Sequence, residues 1–295
     1  MPAIEEQTKL CVDRILFATD FSPSSEVAES YVEALARHFD AKVEAAHVYD
    51  SWRNEYYEGG QLAPLDSKRL SIRGDKLCQL KLQLKHSGVS ASCILLEGHP
   101  ASEKLLTLIE QGGLDLVVLG THSKSDLKRF VMGSTAETIM RTATRPVLTI
   151  GPRVKPLTPR NPLFRSIVYA TDFSLHSSRA VAFAKDLAQD SGAHLYLCHV
   201  LQKSEGGAER QAAVDHSFLT KLERFELQNS RDWCTTESVL EHGDAAQGIL
   251  DLAAKIHADL IVLGPHKSSF MLIHVEHGVT LDVIANAECP VLTVN

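Results

Sequence analysis

Short, unbroken apolar runs alternate along this chain with segments whose apolar residues recur every three or four positions. Residues 15–18 form such a run, as expected of a strand buried on both faces. Val27, Tyr31, Leu35 and Phe39 follow at every fourth position, one face of a helix. Residues 42–49 read as a second strand and residues 50–66 as a polar loop. Leu70, Leu77, Leu80 and Leu84 mark a second helix, ended by Ser87-Gly88. A third strand over 93–96 precedes a helix over 101–111, stopped by Gly112-Gly113. A fourth strand (114–119), a fourth helix (136–144) and a last strand (146–150) complete the first half. The second half repeats the order over 167–170, 181–187, 194–200, 214–227, 238–240, 246–255, 260–263, 281–286 and 291–294. Strands alternating with helices predict an α/β fold, a five-stranded parallel sheet in each half with helices on both faces.

The repetition extends to the letters. Ala18-Thr19-Asp20-Phe21-Ser22 returns as Ala170-Thr171-Asp172-Phe173-Ser174, and Leu116-Val117-Val118-Leu119-Gly120 as Leu260-Ile261-Val262-Leu263-Gly264. Pro146-Val147-Leu148-Thr149 returns as Pro290-Val291-Leu292-Thr293. The blocks recur about 145–152 residues apart, the size of a whole domain and too long for a solenoid unit. Pro152, Pro156, Pro159 and Pro162 forbid a helix between the halves. The expected organisation is a first domain over 1–151, a Pro-rich linker over 152–163 and a second domain over 164–295.

Composition narrows the function. With 30 Lys and Arg against 37 Asp and Glu, the net charge is −7, and nothing global draws the chain to nucleic acid or anionic lipid. No apolar run approaches the roughly 18 residues that span a bilayer. Six cysteines are scattered without a CxxC pair, which together with the lack of a signal peptide predicts a reduced, cytoplasmic protein.

Candidate chemistry sits where the strands end. In a parallel sheet a ligand lies past the carboxyl ends of the strands. Asp20 ends the first strand, where its carboxylate would accept hydrogen bonds from a ribose hydroxyl or a base edge; equally, Asp20, Ser22 or Ser24 would cap the next helix. Gly120 ends the fourth strand, and a glycine there lets the backbone turn sharply or approach a ligand. Gly133-Ser134-Thr135 opens the fourth helix, whose free N–H groups attract anions. Ser134-Thr135-Ala136-Glu137 also reads as a capping box, which needs no ligand. Lys124 would balance phosphate charge, whereas Lys128 and Arg129 read as a solvated face. His266, His274 and His277 suggest a metal, but no cysteine pair or standard ligand spacing supports one. His47 and His199 read as packed structural residues. Walker A, G-x-S-x-G, HExxH and first-strand GxGxxG motifs are all lacking.

The Ala-Thr-Asp-Phe-Ser strand end, the His-Val of the second strand, Val-Leu-Gly-x-His and the closing Pro-Val-Leu-Thr strand together resemble a tandem universal stress protein, two UspA-type domains in one chain. The resemblance covers residues 12–151 and 164–295 and implies Rossmann-like domains of the adenine nucleotide alpha hydrolase-like type. Its nucleotide-binding members are similar in carrying G-x-x-G, nine residues, then G-[S/T]. Here this is Gly120-Thr121-His122-Ser123, nine residues, then Gly133-Ser134, with serine in place of the second glycine. The resemblance implies ATP or a related adenine nucleotide, accompanied by Mg²⁺, at Asp20, Val48, Gly120, Thr121, His122, Ser123, Gly133, Ser134 and Thr135. In the second half, Lys267 replaces the second glycine, ten residues precede Gly278, and Val279 replaces the hydroxyl residue. A weaker site is expected there, at Asp172, Val200, Gly264, Gly278 and Thr280.

No residue stands as a general base, so binding without catalysis is expected. The alternative is a ligand-free, dimeric stress-response interaction module with degenerate sites. In tandem members the halves are expected to pair about a pseudo-twofold axis, mimicking a dimer of single domains, and a homodimer of whole chains is a further possibility. An adenylate-forming enzyme would need His-Gly-His or Ser-Gly-Gly type signatures, which are not present.

Overall fold

The structure is a computed structural model that describes residues 11–50, 67–121, 132–158, 162–202, 208–228, 235–264 and 278–295. The first half runs β1 (Arg14–Ala18), α1 (Pro23–Phe39), β2 (Lys42–Tyr49), α2 (Ser67–His86), β3 (Ala91–Glu97), α3 (Ala101–Gln111), β4 (Leu116–Gly120), α4 (Ser134–Thr142) and β5 (Val147–Ile150). The second runs β6 (Ser166–Ala170), α5 (Leu175–Ser191), β7 (His194–Leu201), α6 (Ala208–Gln228), β8 (Thr236–His242), α7 (Ala245–Lys255), β9 (Leu260–Leu263), α8 (Val279–Asn286) and β10 (Val291–Thr293).

The element order matches the periodicity, with boundaries moved by local chemistry. The fourth strand starts at Leu116 rather than 114, after a bend at Asp115 whose carboxylate accepts the N–H groups of Asp13 and Arg14 at 3.0 and 2.9 Å. The fourth helix starts at Ser134 rather than 136 and has ended by Ala143, which is extended three residues before Pro146.

The ten strands of the described residues share one sheet, ordered β3-β2-β1-β4-β5-β10-β9-β6-β7-β8. Pairing is parallel within each half, and β5 meets β10 antiparallel. Each strand buries alternate residues on opposite faces. Ile15 and Phe17 of β1 pack with α1 and α2 residues such as Val32 and Leu80, in a core that continues to Val181 of α5 and Leu222 of α6. Leu16 packs on the other side with Leu105 of α3 and Ile139 of α4, continuous with Ile249 of α7 and Val283 of α8. Both layers therefore pass without interruption from one half to the other.

Polar bonds also cross between the halves. Asn295 Nδ2 donates to the carbonyls of Met140 and Ala143 at 3.0 and 2.9 Å, satisfying the C-terminal end of α4. The connecting segment lies along α1: the Tyr31 hydroxyl donates to the Lys155 carbonyl at 3.0 Å, and Leu157 N–H donates to Ser30 Oγ at 2.9 Å.

Candidate functional site

The end of β1 is held by a small hydrogen-bond cage. Thr19 N–H continues the ladder to the Ala46 carbonyl at 2.9 Å. Thr19 Oγ1 accepts from Phe21 N–H at 3.1 Å, which tightens the chain enough to put Phe21 at φ +61°, a region that ordinary side chains rarely adopt. Asp20 Oδ1 accepts from Ser22 N–H at 3.0 Å and from the Ser25 hydroxyl at 2.7 Å. The cap of α1 is Ser22, whose side chain accepts from Ser25 N–H, so Asp20 is fixed by the helix start without being its cap.

His47 closes the cage from β2. Its Nδ1 lies 2.8 Å from the Thr19 carbonyl, and a carbonyl only accepts, so Nδ1 carries the proton. The ring packs on Phe21 at 4.8 Å. Burial pushes the imidazole below its ordinary range, and Arg73 and Lys76 add to this against the opposing pull of Thr19 and Asp20. The same cage stands in the second half. His199 Nδ1 lies 2.7 Å from the Thr171 carbonyl, Asp172 Oδ1 accepts Ser174 N–H at 2.9 Å, and Phe173 also sits at φ +61°. The two histidines read from sequence as packed are packed, but they also fix the aspartate turn. A histidine at the same register of both second strands was the available signal.

Across from Asp20, α4 begins without a side-chain cap. Its N-cap is Gly133, and Glu137 pairs with Arg141 at 2.6 Å instead of reaching back. The capping box expected at Ser134-Thr135-Ala136-Glu137 does not form, because glycine occupies the N-cap and Ser134 is already helical. A Cβ at Gly133 would meet nothing within 4 Å. Gly133, Ser134 and Thr135 at this uncapped helix start border free space.

That space is a cavity of about 210 Å³ between the strand ends and α3–α4. Thr19, Asp20, Ser25, His47, Gly120, Gly133, Ser134 and Thr135 form its polar rim, and Ala46, Val48, Ala101, Leu105, Leu119 and Ile139 its apolar wall. Sequence reasoning missed Ser25 and the wall from α3; the Ala101–Leu105 spacing of one helical turn carried that signal. Gly120 has a reason unlike the expected one. A Cβ there would lie 2.7–2.8 Å from the backbone of Ser24 and Ser25, so the close approach is to α1. Thr121 is fully buried and donates its hydroxyl to the Ile150 carbonyl at 3.2 Å, which takes it out of the cavity lining. His122, Ser123, Lys124, Lys128 and Arg129 lie outside the described residues.

In the second half Asp172 and Val200 stand at the ends of β6 and β7, and Gly264 follows β9. Gly278 caps α8, again without a side-chain bond, and Thr280 is in its first turn. Val279 stands where Ser134 stands in the first half and is 41% exposed. Val200 lies over α7, where a Cβ at Gly248 would come within 3.0 Å of it. Lys267 and the histidines at 266, 274 and 277 lie outside the described residues. Among the described residues no group of three or more metal-ligating side chains gathers, and no helix is long and apolar enough to cross a membrane.

Comparison with known proteins gives the same picture from outside. The universal stress protein family model matches residues 12–151 and again 163–295. Universal stress protein MJ0531 of Methanocaldococcus jannaschii is 33% identical over 138 residues, 46% of this chain and 81% of its own length. Universal stress protein MJ0577 of the same organism is 26% identical over 152 residues, 46% of this chain and 93% of its own. A universal stress protein structure from Archaeoglobus fulgidus covers 97% of both chains at a TM-score of 0.71 and 18% identity, a likeness of fold. With its family matched twice, in the order of its own internal repeat, the chain belongs to the universal stress protein family.

Proposed function

We propose that the first half binds ATP or a related adenine nucleotide and does so without strong catalysis. One observation carries this reading: the uncapped start of α4 faces Asp20 across a cavity with an apolar wall. Free N–H groups and the helix dipole suit phosphate oxygens. The Ala46, Val48 and Leu105 wall suits a flat base, and the Asp20 carboxylate suits ribose hydroxyls. Gly133, with open space above it, lets the backbone approach the phosphates. Mg²⁺ would travel with the triphosphate on its own oxygens. Ser123 and His122 join the site through the family resemblance. His47 also lines the cavity, with its Nδ1 proton committed to the Thr19 carbonyl, and a cytoplasmic setting fits scattered free thiols.

The second half is proposed mainly as a packing partner, since Val279 offers an exposed apolar side chain where a phosphate would need a hydroxyl. The halves pair about a pseudo-twofold axis through the β5–β10 contact, and a homodimer of whole chains remains a second level of assembly. Calorimetry with ATP on the wild type and on Gly133→Trp tests the site. Binding by the wild type and its loss in the variant are expected; equal affinities, or no binding by either, would overturn it. Adenine absorbance in the supernatant of denatured protein would support it independently.

A further inference from the structure

His38 and Asp190 are the same residue of the repeat. α1 and α5 are both 17 residues long, and each of the two side chains is the last but one of its helix. Their separation of 152 residues matches that between Asp20 and Asp172. His38 Nε2 nevertheless lies 2.7 Å from Asp190 Oδ2. Two equivalent residues of related halves can touch only where the axis relating the halves passes between them. Had two first halves paired through this face, His38 would meet His38; two second halves would bring Asp190 against Asp190.

The leucines beside this pair make no such distinction. Leu35 and Leu187, Leu116 and Leu260, and Leu148 and Leu292 are repeat equivalents that line one apolar space, and leucine faces leucine in any combination, whereas Val12 with Phe164 is an apolar pair that differs only in size. The His38–Asp190 contact differs because an imidazole N–H donates to a carboxylate, whereas two carboxylates offer only acceptors and repel. Their side chains are 21% and 24% exposed, so water screens the repulsion poorly.

We propose that this pair makes the face between the halves specific for the unlike half, so that a second copy cannot substitute its matching half there. The proposal rests on the pseudo-twofold pairing given above and is independent of nucleotide binding.

Intact-chain variants reproduce each contact. His38→Asp creates the Asp–Asp contact, Asp190→His the His–His contact, and the double swap restores the unlike pair in the opposite sense. We expect each single variant to lower the thermal midpoint by about 2–4 °C and the swap to return to within about 1 °C of wild type. His38→Asp should also fall below His38→Ala. A single variant that fails to fold while the swap folds counts as the expected result. Singles as stable as wild type, a swap that carries both losses, or a swap that fails to fold would overturn the proposal. Nucleotide affinity should not follow these midpoints, so failure here leaves the binding site standing.

Discussion

Leu148 lies directly opposite Leu292 across the antiparallel β5–β10 pair, and both hold the same place in the repeated Pro-Val-Leu-Thr block. Val147 then faces Thr293 and Thr149 faces Val291, so the register reads alike from either half. A slip by one residue would turn every side chain of one strand to the wrong core. Both leucines are buried in the same layer as Leu35 and Val181. Leu148→Ala and Leu292→Ala should each cost about 2–5 kcal/mol. The double variant should depart from the sum, because both truncations empty one shared space. Urea unfolding of the two single variants and the double variant measures this; strict additivity would contradict the contact.

The two glycines of the first-half site should behave oppositely. Gly120→Ala forces a Cβ to 2.7 Å from the α1 backbone and should cost about 1–3 kcal/mol. Gly133→Ala meets open space at φ −61°, so it should lose only what alanine gives up as a poorer N-cap, under about 1 kcal/mol. Thermal melts of both variants decide the matter, and equal losses would show that the environments are misread.

This contrast also marks what the sequence could carry. Residues 42–49 and 101–111 were legible because their period is unambiguous and each is bounded by punctuation: Asp40 with φ +54° and Asp50, then Pro100 and Gly112. The aspartate turns were legible because the chain writes them twice. Pairing of β5 with β10 was not, since nothing in a four-residue apolar run says which neighbour lies beyond it. The capping box failed because one glycine at position 133 moved the helix start by two residues. Thr121 was placed in the site by its neighbours in the motif, but the strand pleat turned it into the core.

Buried thiols should resist modification. Burial pushes Cys198 and Cys289 up to about 12, reinforced by Glu241 and Asp259 respectively, so almost no thiolate exists at pH 8. Cys11 and Cys78 are exposed. Alkylation of the native protein at pH 8, mapped by mass spectrometry, should label Cys11 and Cys78 first. Cys198 and Cys289 should react only after unfolding, and early labelling of either would show that the second-half core opens.

Acid should weaken the protein partly through His47. Its folded value is lowered from 6.5, so the unfolded chain takes up the proton first. That contribution to stability is complete above pH 6.5 and is lost as pH falls through the lower folded value. His47→Asn has nothing to titrate at this position. Between pH 7 and pH 5 the wild type should therefore lose more stability than the variant, by urea unfolding at each pH. Parallel losses would mean that the ring is not held neutral by its surroundings.

Ser134→Asp separates helix stability from ligand binding. Ser134 is exposed in the first turn of α4, where no side chain caps the helix. A carboxylate there interacts favourably with the helix dipole and should stabilise the fold by about 0.3–1 kcal/mol. The same charge would stand where phosphate oxygens are proposed to sit, and losing about 1.4 kcal/mol of binding lowers affinity tenfold. Higher stability with at least that loss of ATP affinity is the expected outcome, read by thermal melts and calorimetry on one preparation. A more stable variant that binds ATP unchanged would remove the α4 start from the site, whereas a fall in both quantities would point to distortion of the helix itself.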